Sequence, residues 1–174
     1  MLSSTLARST LALALVGFAT AASAVHIEVE GGRSYMDSYG TNTAFIEAVC
    51  TPHPIGASRF TWSPEVSVGW VGGRSIHRFD GTRYSTRDNV WLAAGGARLH
   101  YGSESDWYHG FFYSLQGAVQ TGRTRALSSV GEFINSVGWQ GKYVSFQVRH
   151  ISNGGTKGPN RGETLALIGV GLDL

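Results

Sequence analysis

Cysteine is almost absent from this sequence: Cys50 stands alone in 174 residues. A lone thiol closes no intramolecular disulfide and supplies no cysteine metal set, so neither a disulfide-stapled scaffold nor a zinc-cysteine module is expected. Cys50 reads as a small buried or half-buried residue. Proline is scarce, with four residues, and helical spacing of apolar positions is hard to find. An excess of one charge is also missing, since 14 Lys and Arg stand against 12 Asp and Glu. That balance gives no basic field for nucleic acid, which is not an expected partner.

Long apolar runs are lacking too. The stretch Leu11 to Val16, extended by Gly17 and Phe18, is too short to cross roughly 30 Å of hydrocarbon as a helix. Arg8 precedes it as the only charge, and Ala22-Ser23-Ala24 follows with small residues. Residues 1–24 therefore read as a secretory signal peptide, with cleavage before Val25. The remaining 150 of the 174 residues suit one compact domain and not two.

What the chain does contain is alternation, 24 glycines and aromatics throughout. Val25, Ile27 and Val29 alternate with His26, Glu28 and Glu30. Phe60, Trp62, Val66, Val68 and Trp70 share one parity around Pro64. Val90, Leu92 and Ala94 follow, then Trp107, His109, Phe111, Tyr113, Leu115, Gly117 and Val119, and then Phe133, Asn135, Val137 and Trp139. Val144, Phe146 and Val148 form the next row, and Ala166, Ile168, Val170, Leu172 and Leu174 the last. Each reads as a strand with one apolar face. With the less regular run 42–50, about eight strands result, each near the 9 to 11 residues that a tilted strand needs to cross a membrane.

The expected fold is all-β, an eight-stranded antiparallel transmembrane barrel over residues 25–174 with a narrow polar lumen. Segments 72–89, 102–106, 121–129 and 153–162 read as loops and 140–142 as a tight turn, so long and short connections are expected at opposite ends. A soluble barrel or sandwich is the alternative. The polar second parity near Gly117, at Ser114, Gln116 and Gln120, speaks for the membrane form.

Near the end of the chain, "VSFQVRHISNGGTKGPNRGETLALIGVGLDL" carries the candidate chemistry. Residues two apart on a strand face one side, so His150 and Ser152 continue the row Val144, Phe146 and Val148. Polar side chains on a lipid-facing wall are costly and raise a functional hypothesis. With the amino terminus in the periplasm, the seventh strand ends at His150 and Ser152 near the outer leaflet, and the eighth returns from Glu163. Serine needs a base and the base needs an orienting acid, roles that Ser152, His150 and Glu163 fill by type. Amides of Asn153 or Asn160, or backbone N–H groups of the loop, could donate to an oxyanion. The alternative reading is a pair of ordinary interfacial polar groups. Glu163 has the parity of Leu165 and Leu167, so joining His150 requires a register-shifting bulge or a loop that bends round.

The motif "RHISN", the Gly/Lys/Pro/Asn loop, a following Glu and a closing apolar strand resemble the lipid A 3-O-deacylases of the PagL type. The resemblance implies an outer-membrane barrel of a Gram-negative bacterium that removes the acyl chain ester-linked at the 3-position of lipid A. It implies Ser152 as nucleophile, His150 as base, Glu163 as acid, and Asn153 and Asn160 as oxyanion donors. The spacing from Asn160 to Glu163 is a residue tighter than the family's. Lys157 and Arg161 are candidates for lipid A phosphates, or ordinary loop cations. The implied chemistry needs no metal or other cofactor, and lipid A or lipopolysaccharide in the outer membrane is the expected partner. Whether copies pair as a homodimer is open in the sequence. Rival readings are a structural or partner-binding barrel, another envelope lipid enzyme such as a phospholipase or palmitoyl transferase, and a soluble lipocalin-type binder.

Overall fold

A computed structural model describes residues 24–156 and 160–174. The expected signal segment, apart from Ala24, and Lys157 therefore lie outside the described residues. Nine antiparallel strands follow in order: β1 (His26–Met36), β2 (Tyr39–Val49), β3 (His53–Pro54), β4 (Phe60–Val71), β5 (Val90–Tyr101), β6 (Phe111–Gln120), β7 (Gly131–Gln140), β8 (Val144–Ser152) and β9 (Glu163–Asp173). The two-residue β3 only extends the edge of β4. The other eight close into a barrel, because β2 pairs with β4 and β9 returns to β1 from Tyr35↔Thr164 to His26↔Asp173. Closure satisfies the edge groups of β1 and β9 that an open sheet would leave unpaired.

The strands form where β-branched and aromatic residues alternate with small or polar ones. Pro64 is tolerated inside β4 because the β2 ladder ends at Val49↔Glu65, just before it. Gly69 is needed for close packing, since a Cβ there would fall 2.0 Å from the Phe45 ring inside the barrel.

The lumen has two halves. In the middle lies an ion network in which Glu47 pairs with both Arg98 and Arg149, and Arg98 Nε also meets Glu65 at 3.0 Å. Both guanidinium groups lie over rings, Arg98 over Phe112 at 4.0 Å and Arg149 over Phe45 at 4.5 Å. Toward one end the lumen is apolar, filled by Met36, Leu92, Ile134, Ile151 and Leu165 and covered by Ile76, Ala126 and Leu127 from two loops. The polar lumen expected from sequence therefore occupies only part of the interior. Val90 and Leu92 point into the barrel, because the covering loops make that end a small hydrophobic core.

Connections 37–38, 72–89, 121–130 and 153–162 share this loop end. The termini and connections 50–59, 102–110 and 141–143 share the other. The expected segregation of long from short loops does not hold: the tight β1–β2 turn, with Asp37 at φ 56, sits among the long loops, and residues 102–110 lie at the terminal end. On the outside, Val29, Ile46, Val119, Val137, Val148, Ile168 and Val170 are exposed. Trp62, Tyr101, Phe111 and Trp139 ring this band toward the terminal end, and Tyr35 and Trp91 mark the loop end.

Candidate active site on the outer wall

β8 alternates without interruption, so Ser145, Gln147, Arg149 and Ile151 fill the lumen while Val144, Phe146, Val148 and His150 face out. Ser152 follows on the outward row and is half-buried. Period two alone produces this arrangement. His150 and Ser152 stand where the strand meets the loop end, above a groove lined by Gly31, Val137, Phe146, Val148, Ala166 and Ile168.

His150 is fixed from one side by the neighbouring strand. It pairs across the ladder with Thr164, and its Nδ1 lies 3.0 Å from Thr164 Oγ1. With that nitrogen occupied, Nε2 is the one turned to other partners. Gly162, at φ 71, lets the loop backbone run against the ring: a Cβ there would sit 2.8 Å from His150 Cε1 and 3.1 Å from Nε2. The Gly162 N–H donates to the Ala126 carbonyl at 2.9 Å, anchoring this segment to the neighbouring loop.

Glu163 is not beside His150. The ladder between β8 and β9 runs without a bulge, Ile151↔Glu163 and then His150↔Thr164, so Glu163 joins Leu165 and Leu167 on the inner face. It is 2 % exposed, accepts a hydrogen bond from Ser34 Oγ at 2.6 Å and pairs with Arg74. Neither route by which the sequence would have brought it to the imidazole is taken. The residue that faces His150 across the ladder is the next one, Thr164.

The side chains of both candidate oxyanion donors have partners within the fold. Asn153 is fully buried, and its Oδ1 accepts the Gly155 N–H at 2.9 Å to shape the start of the loop. Asn160 Nδ2 donates to Glu132 Oε2 at 3.0 Å. Arg161 is bound to Asp37, with Nε 3.0 Å from Oδ2, and Arg78 pairs with the same carboxylate. The hydrogen bond from Arg161 and the two positive charges hold the Asp37 carboxyl below its ordinary range. Arg161 therefore ties two connections together at the loop end.

Besides Thr164, two residues at the site were given no role in the sequence reading. Asn135 interrupts the outward row Phe133–Val137 and is the ladder partner of His150 on the side away from Thr164. Tyr113 Oη donates to its Oδ1 at 2.7 Å. A polar residue within an apolar row was the signal that could have found Asn135. Among the described residues, Glu28, Glu30 and Glu47 form the group with metal-ligand spacing, their carboxylate oxygens within 4.8 Å of one another. Glu47 is already engaged by two arginines, which makes this cluster part of the ion network.

The chain matches no protein-family model, no curated protein and no solved structure.

Proposed function

We propose that this barrel resides in a bacterial outer membrane and hydrolyses the 3-position acyl ester of lipid A, with Ser152 as nucleophile and His150 as general base. The carrying observation is that a histidine and a serine share an outward apolar face at the loop end, with Nδ1 of the histidine held by Thr164. The exposed aliphatic band, bounded by aromatics at its ends, supports the membrane setting.

In this reading Ser152 Oγ attacks the ester carbonyl carbon as His150 Nε2 takes its proton. The tetrahedral intermediate collapses, the C–O bond to the sugar breaks, and His150 returns the proton to the leaving alkoxide. Water then attacks the acyl-serine with the same base, releasing the fatty acid. The acyl chain stays in the groove below His150 throughout, so it never enters water, which would cost about 0.8 kcal/mol per CH₂. Thr164 orients the imidazole as a neutral acceptor. It offers no negative charge to the imidazolium, so the dyad is expected to be slower than one backed by a carboxylate.

One observation favours a non-catalytic barrel as the rival: the carboxylate that the motif itself supplies, Glu163, is committed to Arg74 inside. The test is incubation of purified protein in detergent micelles with lipopolysaccharide, reading released 3-hydroxy fatty acid. Release by the native chain and none by Ser152→Ala supports the hydrolase; no release by either supports the rival.

A further inference from the structure

The polar row on the outer wall continues past His150 to Asn135, its ladder partner on β7. Asn135 is half-buried, and its neighbours on the outward row, Phe133 and Val137, are apolar and exposed. An amide on such a wall is costly in hydrocarbon unless each end finds a partner. Tyr113 Oη satisfies the oxygen end at 2.7 Å and thereby fixes the amide plane. The Nδ2 donors are turned away from Tyr113, and among the described residues no acceptor meets them. With an acyl chain lying along this wall, the nearest acceptor for these donors is a group of the lipid itself.

The position of Asn135 says which part of that lipid. It stands level with His150, two residues below Ser152 along β8, a drop of about 6 to 7 Å at the strand's rise per residue. Asn135 and His150 stand between Ser152 and the pair Val137↔Val148 in the ladder, so a chain whose carboxyl carbon sits at Ser152 and whose tail descends into the groove beside Val137 and Val148 passes Asn135 within its first few carbons. Alkyl carbons there accept nothing. A hydroxyl does.

We infer that Asn135, held by Tyr113, is a specificity residue that recognises a hydroxyl near the carboxyl end of the acyl chain. The inference rests on Ser152 being the nucleophile. A group built to bond a substrate hydroxyl discriminates against the analogue lacking it, because the group is then left unpaired. Ordinary chain-length selection in an apolar groove would not produce that preference.

The test uses the full-length protein in detergent micelles and two glucosamine esters of equal chain length, one 3-hydroxyacyl and one plain acyl. The native chain is expected to favour the hydroxylated ester by about 10-fold in kcat/KM, the scale of one hydrogen bond. Asn135→Leu should bring the ratio close to one by raising KM for the hydroxylated ester alone, with kcat nearly unchanged. Tyr113→Phe should give part of that loss and carries the test if Asn135→Leu does not fold, as judged by gel mobility of the unheated barrel. Hydrolysis without preference in the native chain, or a preference kept in both variants, would overturn the inference and leave the hydrolase standing. Hydrolysis of neither ester by the native chain would overturn both.

Discussion

His150 and Thr164 face each other across the β8–β9 ladder with Nδ1 and Oγ1 3.0 Å apart, while Glu163, one residue earlier, points to the opposite side of the wall. This single-residue offset decides which side chain can orient the imidazole. Replacing Thr164 by Val should remove the orienting bond and lower kcat about 10-fold with little change in KM, the scale of one hydrogen bond. Thr164→Glu should raise kcat by a similar factor, because a charged acceptor also stabilises the imidazolium. Initial rates of ester release in detergent check both; equal rates in all three proteins would remove Thr164 from the site.

Glu163 has a different task. Its substitution by Ala leaves Arg74, mostly buried, without its partner, and should cost about 3 kcal/mol of barrel stability. The temperature at which the folded band disappears from an unheated gel should fall accordingly. Rate per folded molecule should stay within about two-fold, since the side chain lies on the inner face. A folded Glu163→Ala protein as inactive as Ser152→Ala would return the carboxylate to the chemistry.

The lumen network predicts a still larger effect. Glu47→Ala would remove the carboxylate that Arg98 and Arg149 share, leaving only Glu65 to the first and Glu30 to the second, and should cost about 3 to 5 kcal/mol because both guanidinium groups are buried. Glu47→Gln should be milder, because an amide oxygen can still accept from one of them. Urea unfolding in detergent followed by tryptophan fluorescence would report the order. A Glu47→Ala barrel as stable as the native one would contradict the network.

Acid should loosen the loop end. The Asp37 carboxyl is held low by its hydrogen bond from Arg161, so its bonds stabilise the fold above the ordinary aspartate range and are lost as pH falls through the lowered value. Proteolysis of loop 153–162 should therefore be slow at neutral pH and faster below about pH 4. Asp37→Asn should already show the faster cutting at neutral pH. Identical cutting of the two proteins at neutral pH would show that the tie is not what holds this loop.

Most of the barrel was legible from alternation. Val144, Phe146 and Val148 could face only one way together, and they carry His150 and Ser152 with them. β9 was harder, because both of its rows are apolar: Leu165 and Leu167 on one, Ala166 and Ile168 on the other. The outward row follows from the register with β8 and from the apolar plug beneath the loops, neither of which is local. The Glu163–Arg74 pair joins residues 89 apart in sequence and Arg161–Asp37 joins residues 124 apart. Side chains that type and spacing assigned to catalysis or phosphate binding were therefore found stabilising the fold.

The central claim is most directly tested by mass spectrometry of lipid A from Gram-negative cells expressing this chain or Ser152→Ala at equal membrane abundance. Loss of one 3-hydroxyacyl group from the lipid A of the first cells and not the second is the predicted result. Unchanged lipid A in both, with purified protein equally inactive in detergent, would contradict it.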